Sequence, residues 1–340
     1  MYSPLEALFL KNWIYNMEIL LKNIKYALRS DWEAYHLALD KTLESNNEIV
    51  REVSAQILSK RGKEMRPLLV LLGANMCDSI TEKTIQTAVA FELLHMSSLI
   101  HDDVVDNADK RHNQPSVRAL WNNKLAVLVG DYFVAKSIQV VSNIRNKKIS
   151  DTFIHTAQQL ADGEILEMHP DKMWISEEEY FNIINLKTAQ LFSGCCQSAA
   201  FSTKNTNSQM VALRKYGYHF GICFQLCDDL LDFSDNEQLG KPTMIDLKDN
   251  KPTLAILKTY ERATASEKQE IKHLVEQLSQ DKTAEHEIKS FIARYDGIGY
   301  VHQCMQKHQA SALECLNGFE DCQAKEYLKQ ILSFSAHRNV

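Results

Sequence analysis

Asp102-Asp103-Val104-Val105-Asp106 and, much later in the chain, Asp228-Asp229-Leu230-Leu231-Asp232 are the stretches that decide how this sequence is read. In each, the outer aspartates are four residues apart, and an α-helix places positions i and i+4 on one face. Both clusters end long apolar stretches, so carboxylates gather where a helix leaves the core. Like charges at the edge of a core cost free energy unless cations compensate them. Two oxygen-rich sites facing each other fit Mg2+, which usually borrows substrate phosphate oxygens to complete its octahedron.

The rest of the chain agrees with helices. Eleven Gly and six Pro are few for 340 residues, and long stretches repeat with a helical apolar period, so the expected class is all-α. Helices are expected near 18–43, 47–60, 64–77, 82–106, 115–143, 150–168, 176–203, 207–234, 251–263, 267–280, 284–309 and 321–334. Asn113-Gln114-Pro115-Ser116 opens one helix, Asp78-Ser79-Ile80-Thr81 links two, and Ser266 with Gln269 reads as a capping box. The longest irregular stretch runs from Ser234 to Pro252, directly after the second acidic cluster. A loop of that length is more often functional than idle.

Other features narrow the class. A net charge of −6 with no broad basic face argues against nucleic acid. The eight cysteines, at 77, 195, 196, 223, 227, 304, 315 and 322, form no CxxC pair, which points to reduced, buried thiols in a cytoplasmic protein without structural zinc. No uncharged apolar run approaches the roughly 18 residues that span a bilayer, and Met1 to Leu10 has no basic n-region, so no transmembrane segment or secretion is expected. Residues 1–16 differ in composition from the remainder of the chain and are read as an N-terminal extension, with Met17 a plausible start. Residues 17–340 then form a single domain.

Cationic and polar groups stand at defined places around the aspartates. Lys63 and Arg66 lie one turn apart at the start of an apolar helix, a point charge and a bidentate fork suited to a diphosphate. Arg111 follows the first cluster by five residues, Lys187-Thr188 sits in an apolar helix, Gln225 precedes Asp228, and Lys241 and Lys251 flank the long loop. Taken singly, each has an ordinary explanation: an exposed acidic helix end, a solvated helix start, a satisfied core histidine at His95, a snorkelling Lys187. Their coincidence does not.

Together these residues resemble the trans-type polyprenyl diphosphate synthases, the head-to-tail isoprenoid family, from about residue 20 to the C-terminus. The motifs that carry the resemblance are Gly62-Lys63-x-x-Arg66-Pro67, Leu94-His95 with His101-Asp102-Asp103-Val104-Val105-Asp106, Gly130-Asp131-Tyr132, Gly163-Glu164, Lys187-Thr188, Gln225-x-x-Asp228-Asp229-Leu230-Leu231-Asp232 and Gly240-Lys241. The resemblance implies antiparallel helices around a deep central cavity, usually in a homodimer, with transient membrane contact when product leaves. It implies that an allylic diphosphate ionises, isopentenyl diphosphate attacks the carbocation, and the proton then lost goes to the released diphosphate. Mg2+, three ions with substrate bound, would bridge the two acidic motifs.

Matched residue by residue, the motifs give Asp102, Asp106 and Asp228 as metal ligands, with Asp103, Asp229 and Asp232 completing the set and Asp246 acting through water. Arg111, Lys187, Thr188, Gln225, Lys241 and Lys251 would hold the allylic diphosphate; Lys63, Arg66 and His95 would hold isopentenyl diphosphate. Asp102, Asp106, Arg111, Lys187, Asp228 and Lys241 are the expected catalytic set. The chain departs from the pattern at His112, where the family has a second arginine for isopentenyl diphosphate, at Glu64, where a basic residue is common, and at Met244-Ile245. Imidazole charge depends on pH near neutrality, so His112 would replace arginine only partly.

Three competing classes fit less well. An HD-type phosphohydrolase explains His95 and His101-Asp102 but has no use for a second acidic cluster. A class I terpene cyclase would carry an Asn/Ser/Glu metal triad in place of the second cluster. A non-catalytic subunit of a two-subunit synthase would tend to lose one or both clusters, and both survive.

Product length is read from the helix entering the first cluster. At about 1.5 Å per residue, Ser98 and Ser97 lie roughly 6 and 7.5 Å below Asp102, and Leu94 and Phe91 roughly 12 and 16.5 Å below it. Short-chain relatives often carry bulky residues at the two upper positions. Two serines leave the passage open, or else allow close helix packing. Leu94 and Phe91 are candidates for a deeper floor, and the resemblance implies an all-trans product of about six to ten isoprene units, for a quinone side chain.

Overall fold

Side-chain caps set the starts of several helices, among them those at Thr81, Asn122, Ser176, Thr206 and Thr264. The computed structural model describes residues 4–59, 61–111, 114–168, 172–233 and 243–336, excepting the side chains of 4–14, 172, 282, 335 and 336. The first helices are α1 (Pro4–Ala27), α2 (Arg29–Leu43), α3 (Glu48–Ser59), α4 (Met65–Cys77) and α5 (Glu82–Val105). A two-stranded ribbon, β1 (Lys110–Arg111) with β2 (Gln114–Pro115), leads to α6 (Val117–Leu120), α7 (Asn123–Ile144) and α8 (Lys147–Glu167). A 3-10 turn (Lys172–Trp174) precedes α9 (Glu177–Ile184), a π-helical turn (Asn185–Ala189) and α10 (Gln190–Phe201). The last helices are α11 (Asn207–Asp232), α12 (Ile245–Lys248), α13 (Leu254–Arg262), α14 (Ala265–Gln277), α15 (Lys282–Arg294), α16 (Gly297–Cys315) and α17 (Gln323–Ala336).

The expected all-α class holds, with corrections at several boundaries. The expected helix 18–43 is two helices, broken at Leu28, and the first of them begins at Pro4. Pro115 lies in the ribbon, and Ser116 caps α6 instead, its hydroxyl accepting from the Ala119 N–H. Asn122 then caps a fresh helix, α7. The expected capping box at Ser266 and Gln269 forms two residues earlier, at Thr264 and Glu267. Glu267 is the better partner because its carboxylate also accepts from Arg294 and from the Tyr295 hydroxyl. The expected helix 284–309 breaks at Asp296, which takes a left-handed φ of 52°.

Two apolar clusters meet along α11. Tyr216, Phe220 and Cys223 join the larger one, with α2, α4, α5, α7, α10 and α17. Ile222, Leu226 and Leu230 join the smaller one, with α9, α13, α14, α15 and α16. The most extensive helix contact is α5 on α7, and next comes α10 on α11. Each of these pairs includes a helix that ends in an acidic cluster, so a packed seam fixes each carboxylate set. Burying a Phe or Leu side chain is worth about 1.5–3 kcal/mol, and Phe91, Leu94, Phe133, Leu191, Phe192 and Phe220 are buried on these four helices.

All eight cysteines are free thiols, as expected, although Cys322 is exposed and Cys77 and Cys315 are half-buried. α7 is long and apolar enough to cross a membrane by length and composition, but Asp131 and Lys136 interrupt it, and a core helix passes the same test.

Candidate active site

The first acidic cluster closes α5. Asp103 is buried and accepts from Arg111 Nε at 2.9 Å and Nη2 at 2.6 Å, a fork held by the β1–β2 ribbon. Asp106 stands at the helix end and accepts from Lys251 Nζ at 2.7 Å, across 145 residues of sequence. Asp102 is half-buried, and its carboxyl is pushed up to about 7 by burial and by Glu164, against the pull of Lys187 and Arg111.

The second cluster closes α11. Asp229 is buried, accepting from the Tyr180 hydroxyl and from Gln225 Nε2 at 2.9 Å, and burial pushes it up to about 7 despite both bonds. Asp232 accepts the N–H groups of Ile245 (2.8 Å) and Asp246 (2.9 Å), capping the short α12. Asp228 is exposed at the helix surface. Asp246 is pushed up to about 8 by burial and then by Asp232, Asp229 and Asp228, which places its carboxyl beside the second cluster.

Lys187 and Thr188 ride on the π-helical turn between α9 and α10. Such turns are frequent at functional sites. Here Lys187 Nζ is 2.9 Å from Glu164 and 2.6 Å from Glu167. Burial would lower its pKa, but the two glutamates raise it, so the ammonium stays charged. Gly163 makes this approach possible: a Cβ there would come within 2.9 Å of Lys187 Cγ and Leu186 Cβ. Thr188 Oγ1 donates to Gln225 Oε1 at 2.7 Å, which ties the turn to α11 and so to Asp229.

The structure therefore brings Asp102, Asp106, Lys187, Lys251 and Asp246 to one region, and makes Asp103, Arg111, Asp229, Thr188 and Gln225 the fastenings beneath it. Arg66 sits deeper, its guanidinium over the Phe192 ring at 4.8 Å, its Nε buried without a hydrogen-bond partner, beside Glu92. His95 is half-buried on α5, and Lys63 is exposed just before α4. His112 and Lys241 lie outside the described residues. Sequence reasoning missed Tyr180, Glu167 and the role of Glu164 toward Lys187. The Gly163-Glu164 pair was the available signal, but nothing local says which lysine it meets.

The chain-length positions separate. Ser97 is buried in the α5–α7 seam and donates to the Gly130 carbonyl at 3.0 Å, which is the packing role. Ser98 is half-buried and donates only to the His95 carbonyl one turn back, at 2.9 Å. Leu94 is buried, and Phe91 packs edge-on against Phe153 with ring centres 5.4 Å apart.

No three acidic, histidine or cysteine side chains among the described residues converge closely enough to hold an ion alone. Mg2+ does not need that, since it is commonly held by one or two carboxylates plus phosphate oxygens. Burial first, and neighbouring carboxylates after it, raise the carboxyls of Asp102, Asp229 and Asp246, and a divalent ion bound with a diphosphate would favour their ionised form.

Comparison with known proteins agrees with this geometry. The family model described as polyprenyl synthetase matches residues 47–294. Octaprenyl diphosphate synthase of Escherichia coli (strain K12) is 32% identical over 259 residues, 76% of this chain and 80% of that protein. A short chain isoprenyl diphosphate synthase of Methanothermobacter thermautotrophicus is 31% identical over 314 residues, 89% of this chain and 95% of that protein. The crystal structure of a decaprenyl diphosphate synthase from Rhodobacter capsulatus superposes with a TM-score of 0.88 at 26% identity, covering 94% of this chain and 99% of that one. With two acidic helix ends set over a helical core and a family model spanning most of its length, the chain belongs to the polyprenyl synthetase family and is a prenyltransferase of the isoprenoid synthase fold.

Proposed function

We propose that this prenyltransferase condenses isopentenyl diphosphate head to tail with an allylic diphosphate, using Mg2+, to give a long all-trans polyprenyl diphosphate of the kind that serves a quinone side chain. The observation that carries the site assignment is Lys251. Its Nζ holds Asp106 of the first cluster, and its N–H donates at 2.7 Å to the carbonyl of Asp246, beside the second. A diphosphate arriving between the clusters meets carboxylates for metal and two lysines, Lys187 and Lys251, already charged.

In the reaction, the allylic C–O bond breaks, the new C–C bond forms to isopentenyl diphosphate, and a proton leaves the product. Divalent ions, when bound, supply Lewis-acid stabilisation of the departing diphosphate. Asp102, Asp106, Asp228 and Asp232 would present the oxygens for them, and Lys187 and Lys251 would stabilise the developing negative charge. Asp103–Arg111 and Asp229–Tyr180 each fix their own helix end, and Lys251 links the two clusters, so little reorganisation accompanies bond breaking. Arg111 acts through Asp103, and Lys187 is drawn from Glu164 and Glu167 as the diphosphate arrives.

The tail descends along α5 past Ser98 toward Leu94, and the Phe91–Phe153 pair forms the floor. Purified protein given farnesyl diphosphate, isopentenyl diphosphate and Mg2+ is expected to yield products well beyond four isoprene units, and Ser98→Phe to shorten them. Parent products that stop at three or four units, or unchanged lengths in Ser98→Phe, contradict the open-wall reading. Ser97→Phe is expected to damage folding instead, because Ser97 faces Gly130.

Apolar side chains stand exposed on α7 (Leu128, Ile138) and α8 (Ile154, Ile165), which supports a homodimer covering that face. Such a dimer would also explain why α7 is apolar on both sides. The eight free thiols of the chain suit a reducing compartment such as the cytoplasm.

A further inference from the structure

Glu92 stands on α5, one turn before His95 and between Phe91 and Leu93 of the larger apolar cluster. It is 6% exposed, and its Oε2 is buried with no hydrogen-bond partner among the described residues. A carboxylate in such a place is costly, so a cation must stand close or the group must keep its proton. Arg66 is that cation. Burial lowers the pKa of its guanidinium, and Glu92 is the first charged group that pulls it back. The guanidinium lies over the Phe192 ring at 4.8 Å, and its Nε is likewise buried without a partner among the described residues. Arg66 as a whole is half-buried, so a diphosphate can reach it.

Glu64, at the head of α4, is engaged elsewhere: its Oε2 accepts from Lys25 Nζ of α1 at 3.2 Å, and its Oε1 is 3.0 Å from His36 Nε2 of α2. Glu64 and Lys25 act on Glu92 in opposite senses. Tyr35 of α2 sets a buried, unpartnered hydroxyl in the field of Glu92, and Cys195 of α10 sets a buried thiol in the field of both Arg66 and Glu92. Burial pushes the Glu92 carboxyl up to about 7, with Arg66 pulling it down. At neutral pH the carboxyl therefore stands between its two forms, and what else Arg66 holds decides which one it takes.

We propose that Glu92 is a positioning residue for the isopentenyl-diphosphate site: it is the resting counter-ion of Arg66, and it takes up a proton from solvent when the diphosphate displaces it there. This rests on the reading of Arg66 as a diphosphate ligand. As the diphosphate engages Arg66, the pull that kept Glu92 ionised weakens and a second anion stands nearby; both changes favour the protonated carboxyl. Affinity for isopentenyl diphosphate is then full below about pH 7, where Glu92 already carries its proton, and falls as pH rises above it.

Steady-state kinetics of the parent and of Glu92→Gln, with each substrate varied, test this across pH. Gln imitates the protonated carboxyl. At about pH 6 the two enzymes are expected to agree within about twofold in KM for isopentenyl diphosphate, and at about pH 8.5 that KM is expected to be about tenfold lower in the variant. kcat and the allylic KM should agree within about twofold at both. Any proton that the substrates or His95 exchange is common to both enzymes and cancels in the ratio. A ratio that stays constant with pH, or an allylic KM that moves with it, is what a structural strut predicts and overturns the proposal. The parent alone gives a second test, independent of how the variant folds. Its difference infrared spectrum on adding isopentenyl diphosphate at about pH 8 should show a protonated carboxyl gained at the expense of a carboxylate, and no such gain also overturns the proposal. Arg66→Ala is the control. A raised KM for isopentenyl diphosphate there, with a constant ratio in Glu92→Gln, sinks the coupling alone; an unchanged KM sinks the reading of Arg66 and the coupling with it.

Discussion

The two acidic clusters share a spacing but are held in different ways. In the first, the inner aspartate is fastened by a cation, Arg111 on Asp103, and the outer one by another, Lys251 on Asp106. In the second, the inner aspartate is fastened by a phenol and an amide, Tyr180 and Gln225 on Asp229, and the outer one by two backbone N–H groups on Asp232. Neutral donors satisfy oxygens without cancelling charge. In the second cluster burial comes first, and it pushes the Asp229 carboxyl up to about 7 and that of the adjoining Asp246 up to about 8, so both hold their protons up to about neutral pH. The first cluster is fastened by direct ion pairs at Asp103 and Asp106, the second by neutral donors at Asp229 and Asp232.

If that contrast is right, removing an outward aspartate and an inward one should have different consequences. Asp228→Ala is expected to lower kcat by about 10³-fold or more, through loss of transition-state charge stabilisation, with the folded state intact by circular dichroism. Activity within threefold of the parent would remove the second cluster from the reaction. Asp103→Asn is expected to destabilise the fold by about 2 kcal/mol in a urea titration, because the charge-assisted fork to Arg111 is broken in a buried setting. No shift in the midpoint would mean that the ribbon, and not the ion pair, holds the helix end.

The smallest effect tests the uncompensated charge itself. Asp246 has a folded pKa of about 8, above its ordinary value of 3.8. The folded state therefore binds the proton more tightly than the unfolded state. Its contribution is complete below about pH 4 and is lost as pH rises to about 8. Asp246→Asn removes that loss. In metal-free buffer the variant should gain melting temperature relative to the parent as pH goes from 5 to 8, by a few degrees at most. A difference that is constant across this range would mean that Asp246 carries no strained charge.

How much of this was legible in sequence depends on whether the determining contact is local. The i, i+4 aspartates and the apolar periods before them are local, so the two acidic helix ends and the all-α class could be read directly. The helix break at Asp296 was available in Asp296-Gly297, a turn-forming pair, yet the apolar period ran through it. Thr264 and Ser266 compete for the cap in sequence because both have a Glu or Gln three residues on. Glu267 wins through Arg294 and Tyr295, which only the fold brings near. The π-helical turn has no local signature, and neither the partners of Lys187 nor the inward turn of Asp103 and Asp229 follow from spacing. Ser97 and Ser98 look equivalent in sequence, and the rotation of about 100° between adjacent helical residues separates them.

Both clusters, on this reading, hold one diphosphate together through divalent metal, and everything else about the site depends on that. Calorimetric titration of inorganic diphosphate into the protein, with and without Mg2+, tests it without turnover. We expect Mg2+-dependent binding in the parent and a loss of at least about tenfold in affinity in Asp102→Ala and in Asp228→Ala alike, about 1.4 kcal/mol or more each. Parental affinity in either variant, or equal binding with and without Mg2+, would contradict it.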